Sequence, residues 1–88
     1  MADAMAELVP RITRRITEEA VSFIDQHADV PFFLYVAHSM PHVPLGVGPE
    51  FRQSTRFGMY GDVIREIDWS VGQVCEALKA HGILDRTL

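Results

Sequence analysis

The amino-acid sequence predicts an α/β fold, with the elements in the order helix, strand, long loop and helix, followed by the start of a further strand. Residues 32–37 form a continuous apolar run of strand length. Such runs are typical of strands that are covered on both faces, as in a parallel sheet. An amphipathic pattern of helical period lies on each side of that run. At 88 residues, the chain forms at most one small domain.

The first helix is predicted to begin near Thr17, whose side chain is suited to capping the first turn. Glu18 and Glu19 follow it, where negative charge stabilises the amino end of a helix. The residues expected to face inward recur at helical spacing and are Ala20, Phe23, Ile24 and His27. Residues 1–13 are predicted to be a loose N-terminal segment, and the helix is expected to end before Pro31.

The strand at residues 32–37 is followed by a long loop, residues 38–58, that is rich in proline and glycine. Loops of this length in small domains are usually functional or disordered. Asp62 is predicted to cap the second helix, which is expected to end at His81–Gly82. The residues expected to face inward on that helix are Ile64, Ile67, Val71, Val74 and Leu78.

The second helix has the form of a crossover between parallel strands, so a further strand is expected to begin near Thr87. A strand that is apolar on both faces needs neighbours on both edges, yet the sequence supplies one complete strand. We therefore expect this chain to be a piece of a larger α/β domain.

Composition argues against several classes of function. Twelve acidic residues against eight basic ones give a net charge of -4, which disfavours nucleic-acid binding as the main task. The longest apolar run is far short of the roughly 18 residues of a membrane span. Cys75 is the only cysteine, so no disulfide can form within the chain, and a small residue beside a buried helix face is favoured over a nucleophile. Residues 1–7 lack the pattern of a secretory signal, and the compartment stays open.

His38 and His42 are the candidate site residues, because they follow directly after the predicted strand. In open α/β sheets, ligands bind beyond the carboxyl ends of the strands. The two histidines are four residues apart, but Pro41 lies between them and disfavours a helical pair of zinc ligands. Chemistry alone leaves two alternatives for His42, a catalytic role and a structural loop histidine bonded to the backbone.

Three acidic residues, Asp62, Glu66 and Asp68, lie close together at the start of the second helix. Calcium sites usually gather several oxygen ligands from loops. Capping and exposure to solvent are therefore favoured over a metal site for these carboxylates.

Several ordered segments resemble the type I sulfatases, the arylsulfatases. The two longest are Pro-Phe-Phe-Leu-Tyr-Val-Ala-His-Ser-Met-Pro-His-Val-Pro-Leu at residues 31–45 and Gly-Met-Tyr-Gly-Asp-Val-Ile-Arg-Glu-Ile-Asp-Trp-Ser-Val-Gly at residues 58–72. Residues 15–24 and 78–88 are similar to the same family in the same order. The resemblance implies an alkaline-phosphatase-like α/β domain that hydrolyses sulfate esters, with residues 14–88 as a fragment of its catalytic domain.

The resemblance also implies roles for single residues. His42 is similar to the family histidine that contacts the sulfate and helps to protonate the departing alkoxide or phenoxide. His38 departs from the more constant position and is expected to line the substrate pocket. The family uses calcium and a formylglycine made from the cysteine of a Cys-x-Pro-x-Arg motif. Cys75 lies in Val-Cys-Glu-Ala-Leu, which departs from that motif, so this chain is expected to bind neither group.

The expected partner is a sulfate ester substrate of the complete enzyme, and the 88-residue chain alone is expected to be inactive. Family members are often periplasmic, secreted or lysosomal. Two alternatives stay open. One is a small α/β module that binds a partner or associates with itself through exposed sheet edges. The other is a fragment of a related phosphatase or phosphodiesterase.

Overall fold

The structure is a computed structural model that describes residues 6–88. Helix α1 spans Ile12–His27 and helix α2 spans Gly58–Ala80, and the two helices pack against each other. Three short 3-10 turns accompany them, at Val9–Arg11, Pro49–Phe51 and Leu84–Arg86. Residues 28–57 connect the helices and contain the proline-rich and glycine-rich loop.

Helix α1 begins at Ile12, five residues before the predicted start at Thr17. Thr17 does not cap the helix, because its hydroxyl lies 2.7 Å from the Thr13 carbonyl oxygen one turn earlier in the same helix. The residues that α1 buries recur at spacings of four, three and four, and they are Thr13, Thr17, Ala20 and Ile24. Ala20 and Ile24 were therefore predicted correctly to face inward, whereas the burial of Thr13 and Thr17 in the earlier part of the helix was not predicted.

Helix α2 begins at Gly58 and ends at Ala80. Gly82 has a φ of 70°, and the Ile83 N–H donates to the Leu78 carbonyl at 3.0 Å, so the predicted glycine terminus is confirmed. Two residues predicted to face inward, Ile64 and Val71, are 43% and 55% exposed. The buried residues of α2 include polar ones and are Asp62, Val63, Glu66, Ser70, Ala77 and Leu78.

The predicted α/β class is wrong, because residues 6–88 contain helices, turns and extended segments but no strand or sheet. Residues 32–37 are extended, yet their exposure alternates instead of being low on both faces. Phe32, Leu34 and Val36 are half-buried, while Phe33 and Tyr35 are 86% and 79% exposed. The helices cover one face of this segment only.

Residues 32–37 form no strand because the described residues contain no neighbouring strand to pair with them. A strand is stabilised by hydrogen bonds to an adjacent strand, and no backbone hydrogen bond joins residues 31–38 to any other described segment. The further strand expected near Thr87 is likewise not formed. Residues 87–88 follow a 3-10 turn and pair with no other extended segment among the described residues. Self-association through sheet edges therefore has no sheet edge to use in this part of the chain.

Two groups of buried apolar residues hold the elements together. The first joins the N-terminal turn, the loop and α2, and consists of Val9, Met40, Val47 and Val63. The second joins the two helices and the turn after α2, and consists of Ile24, Ala77, Leu78 and Ile83. The long loop is thus anchored in the core at Met40 and Val47, and residues 41–44 between them stay at the surface.

The N-terminal boundary predicted at residue 13 stays a prediction. Residues 1–5 lie outside the described part of the chain, and Val9 is buried within a 3-10 turn. Neither α1 nor α2 is sufficiently long and apolar to cross a membrane.

Candidate functional site around His42

The loop around His42 is an exposed turn between two buried anchors. Met40 precedes it and Val47 follows it, and their side chains are 7% and 1% exposed. Residues 41–44 between them are exposed. The His42 N–H donates to the Ser39 carbonyl at 3.2 Å, which closes the turn.

Two glycines allow the loop to return into the core. A Cβ on Gly46 would lie 2.5 Å from a methyl carbon of Val9 and 2.9 Å from the backbone nitrogen of Pro10. A Cβ on Gly48 would lie 3.0 Å from Oε2 of Glu66. Only glycine fits at Gly46 without a shift of the neighbouring backbone, because contacts this short do not occur for real side chains.

The ring of His42 has one hydrogen bond, which lies between its Nδ1 and the Val43 carbonyl oxygen at 2.6 Å. A carbonyl oxygen only accepts, so this contact assigns a proton to Nδ1. The other ring nitrogen, Nε2, is then the one that gains or loses a proton. Because His42 is exposed, Nε2 is available to a bound molecule.

His38 lies at the start of the loop and is held differently. Its Nε2 lies 2.9 Å from the Ser70 hydroxyl oxygen on α2, and its Nδ1 is buried without a partner in the described residues. Burial lowers the pKa of His38 below its ordinary value, so the neutral ring is favoured. No described hydrogen bond joins His38 to His42. The predicted substrate contact of His38 stays a prediction.

Two carboxylates of α2 anchor the loop, and the sequence analysis placed them at the surface. Asp62 accepts from the Gln53 N–H at 2.8 Å, and from both the N–H and the hydroxyl of Thr55 at 3.0 Å. Burial alone would raise the pKa of Asp62, but these hydrogen bonds outweigh it and hold the pKa below its ordinary value. Asp62 therefore caps the end of the loop rather than α2.

Glu66 is the more deeply buried of the two carboxylates, at 1% exposure. Its Oε1 accepts from the Gly48 N–H at 3.2 Å, and its Oε2 is buried without a described partner. Burial raises the pKa of Glu66 above its ordinary value, and the nearby Glu50 carboxylate adds to the rise. The expectation that Glu66 faces solvent was wrong.

A sequence signal for these anchors exists. Asp62, Glu66 and Ser70 recur every four residues, so they lie along one face of α2. The loop packed on that face carries backbone N–H groups that need acceptors, since buried backbone groups are almost always paired.

An ion pair between Arg14 of α1 and Glu50 lies at the rim of the loop. The Arg14 guanidinium also lies 4.8 Å from the centre of the Trp69 ring, and Phe51 packs on that ring at 5.7 Å between centroids. Trp69 therefore packs between the loop and α1. A hydrogen bond from its own backbone and one from Arg14 lower the pKa of Glu50.

The described residues do not fit the calcium and formylglycine of a sulfatase. They bring together no group of three or more histidine, cysteine or acidic side chains that would hold a metal ion. Cys75 is an exposed thiol on α2, directly after the half-buried Val74, and its sequence context is unlike the formylglycine motif. No chemical step through either group is derived from this chain.

An open groove of about 570 Å³ lies between α1 and the extended segment. It is lined by residues that include Arg15, Phe23, Leu34 and Tyr35, and His42 is not among them. The exposed Nε2 of His42 is thus presented at the surface of this part of the chain rather than inside that groove.

Comparison with known proteins gives a consistent result. The sulfatase family profile matches residues 8–88. The chain is 36% identical to the steryl-sulfatase of Rattus norvegicus over 88% of its own length and 13% of that protein. It is 38% identical to the N-acetylgalactosamine-6-O-sulfatase of Bacteroides thetaiotaomicron, over 83% of its own length and 14% of that protein.

A third relative, the N-acetylgalactosamine-6-sulfatase of Mus musculus, is 42% identical over 86% of this chain and 15% of that protein. The chain therefore spans only about one seventh of the length of the relatives it matches. The family match covers nearly all of the chain, including the extended segment, the His42 loop and α2. This chain belongs to the sulfatase family.

Proposed function

We propose that this chain is part of a sulfuric ester hydrolase and that His42 is the catalytic residue it contributes. The observation that carries the proposal is the hydrogen bond between Nδ1 of His42 and the Val43 carbonyl, on an exposed loop. That bond leaves Nε2 as the proton-exchanging atom. Membership of the sulfatase family supplies the reaction class, the hydrolysis of a sulfate ester.

In the proposed step, the doubly protonated ring of His42 contacts the sulfate through Nε2. It gives the Nε2 proton to the ester oxygen as a nucleophile from the rest of the enzyme bonds to sulfur and the bond from sulfur to that oxygen breaks. The alcohol or phenol leaves with the proton, and the imidazole is left neutral. Histidine suits this step because its side chain in general exchanges a proton between about pH 5 and 8. Positioned general acids of this kind contribute roughly 10²–10⁴-fold to the rate.

The remaining parts of the catalytic site are proposed to come from the rest of the enzyme. The nucleophile and the metal of the family have no counterpart among residues 6–88. We therefore expect the 88-residue chain alone to show no turnover of an aryl sulfate.

The test places residues 8–88 in a complete sulfatase, in exchange for the matched segment of the Bacteroides thetaiotaomicron relative. His42→Asn in this chimaera is expected to lower kcat by roughly 10²–10⁴-fold, because asparagine occupies a similar volume but cannot donate the proton. The measurement is the initial rate of sulfate release at saturating substrate.

The matched control is His81→Asn. His81 lies just after α2 and its Nε2 pairs with Asp25 at 2.8 Å, away from the loop. The control is expected to keep kcat within a factor of about two. Equal losses in the two variants would contradict the proposed role of His42.

The same chimaera separates a sulfatase from a related phosphatase or phosphodiesterase. We expect sulfate esters to be hydrolysed faster than the phosphate esters of the same alcohol. A preference for phosphate esters would favour the phosphatase alternative.

A second candidate function is binding to another polypeptide or to a second copy through the extended segment. Two observations favour it: the aromatic rings of Phe33 and Tyr35 are mostly exposed, and residues 31–38 make no described backbone hydrogen bonds. The chain also carries no Asp, Glu, Lys or Arg between Asp29 and Glu50. Uncharged extended segments with free backbone groups tend to recruit other strands.

Light scattering tests this candidate on the 88-residue chain. If the segment binds a second copy, the wild-type chain forms a discrete dimer, and Tyr35→Lys shifts it toward monomer because the charge is costly to bury. Val71→Lys, at an exposed position of α2, is the control and keeps the dimer. A wild-type chain that stays monomeric as its concentration rises would contradict self-association.

A further inference from the structure

His38, Ser70 and Thr17 form a chain of hydrogen bonds that ends at a carbonyl of α1. The His38 Nε2 lies 2.9 Å from the Ser70 hydroxyl oxygen, which lies 2.6 Å from the Thr17 hydroxyl oxygen. The Thr17 hydroxyl in turn lies 2.7 Å from the Thr13 carbonyl oxygen. We call this chain of contacts the hydroxyl relay.

The Thr13 carbonyl determines which atom is the donor in each hydrogen bond of the relay. A carbonyl oxygen only accepts, and each hydroxyl has one proton, so Thr17 donates to Thr13. Ser70 must then supply the proton between its own oxygen and that of Thr17. The oxygen of Ser70 has no second proton for His38, so Nε2 of His38 carries the proton and donates to Ser70.

The opposite set of donors and acceptors is disfavoured for two reasons. If Thr17 donated to Ser70 and Ser70 to His38, the oxygens of Thr17 and Thr13 would face each other at 2.7 Å without a proton. The proton of His38 would then sit on Nδ1, which is buried without a described partner. A buried donor without an acceptor is costly.

We infer that His38 is a positioning residue, whose ring is fixed by the hydroxyl relay so that the loop carrying His42 starts from a defined place. This inference rests on the role proposed above for His42. Ser70 and Thr17 are 1% and 2% exposed, so the relay is anchored between the two helices. His38 directly precedes Ser39, whose carbonyl accepts the His42 N–H.

The two histidines therefore carry their protons on different ring nitrogens. His38 holds its proton on Nε2 and donates it to α2, while His42 holds its proton on Nδ1 and leaves Nε2 free. In this arrangement the Nε2 of His38 is occupied by protein, so the nitrogen that faces a substrate belongs to His42.

The test is a two-bond ¹H–¹⁵N correlation spectrum of the labelled 88-residue chain, recorded at about pH 8, where neutral histidine rings are expected. The spectrum distinguishes a protonated ring nitrogen from a bare one. We expect the pattern of a proton on Nε2 for His38 and of a proton on Nδ1 for His42. A wild-type His38 with its proton on Nδ1, or one averaged between the two forms, would overturn the inference.

Thr17→Val and Thr17→Ser form a matched pair that tests the relay itself. Valine keeps the shape of threonine but removes the hydroxyl, so Ser70 loses its acceptor and turns its proton toward His38. We expect Thr17→Val to lose the fixed Nε2 pattern of His38 and Thr17→Ser to keep it. An unchanged His38 pattern in a folded Thr17→Val chain would refute the relay.

The positioning role of His38 is tested in the same samples by the backbone amide signal of His42. If the relay holds the start of the loop, the backbone amide signal of His42 shifts and its hydrogen exchange becomes faster in Thr17→Val, but not in Thr17→Ser. A His42 signal that stays unchanged while His38 loses its pattern would show that the relay does not position the loop. Neither readout needs sulfatase activity, so the outcome is separate from that of the proposed function.

Discussion

Two histidines four residues apart on one loop have different hydrogen-bond partners. A backbone carbonyl fixes the proton of His42 on Nδ1 and leaves its other nitrogen exposed. A buried hydroxyl takes the Nε2 of His38, and burial favours the neutral ring. The assignment of chemistry to His42 thus depends on which nitrogen is free, and not on the presence of a histidine alone.

His42 was predicted as a site residue because it follows an apolar run in a proline-rich loop that resembles the sulfatases, and this role stays a prediction. The burial of Glu66 was not predicted, because helical periodicity placed it on the outer face of α2. The loop packs on that face and supplies the Gly48 N–H to its carboxylate. Apolar periodicity does not report contacts between a helix and an irregular loop, so only the recurrence of Asp62, Glu66 and Ser70 every four residues points to this burial.

Glu66 is predicted to make stability depend on pH. Its pKa is raised in the folded chain, so the folded state binds a proton more tightly than the unfolded state does. The free energy of unfolding should therefore fall as the pH rises from the ordinary glutamate pKa of about 4.3 through the raised folded value, and level off above it. Glu66→Gln removes the titrating carboxyl, so this fall in the free energy of unfolding is expected to be absent from the variant.

Urea unfolding of the wild-type chain and of Glu66→Gln at a series of pH values measures this effect. Glu76→Gln is the control, because it removes the same charge from an exposed position of α2. A wild-type chain that gains stability relative to Glu66→Gln as the pH rises through this range would contradict the account.

At the scale of elements, the structure consists of two helices that cover one face of an extended segment. The C-terminal end of α2 follows from a local signal, because the positive φ of Gly82 ends the helix as predicted. The start does not, since α2 begins at Gly58, four residues before the predicted cap at Asp62. The extended segment at residues 32–37 was predicted as a strand because its composition is that of a buried strand. An extended conformation is a local property, but a sheet needs a second segment, which the described residues do not supply.

The return of the loop into the core is predicted to depend on Gly46. Gly46→Ala is expected to lower the free energy of unfolding by about 1–3 kcal/mol, because its Cβ would collide with Val9 and with the backbone of Pro10. Gly72→Ala is the matched control. A Cβ on Gly72, within α2, would have open space around it to a distance of 4 Å, so alanine there should stabilise the helix by about 0.5–1 kcal/mol.

Thermal or urea unfolding of the two alanine variants, side by side, decides this prediction. The account requires opposite signs for the two changes. If Gly46→Ala unfolds at the same urea concentration as the wild-type chain, the close approach of the loop to the N-terminal turn does not stabilise the fold.

At the scale of the whole molecule, the family was recognisable from the order of several sequence segments, and the comparisons confirm it. The chain spans a small share of its relatives, and one exposed face of the extended segment carries Phe33 and Tyr35. Residues 32–37 have no neighbouring strand among the described residues, so they form no sheet there. The part of the site that we propose this chain supplies is the His42 loop, with its anchors in the core and in α2.

The central claim, that His42 protonates the leaving group, is tested most directly by how the His42→Asn effect depends on the substrate. In the chimaera that carries residues 8–88, kcat is measured for a series of sulfate esters whose alcohols or phenols differ in acidity. The account predicts a large loss for esters of weakly acidic alcohols and a small loss for esters of strongly acidic phenols, since the latter leave without a proton. An equal loss across the whole series would contradict it.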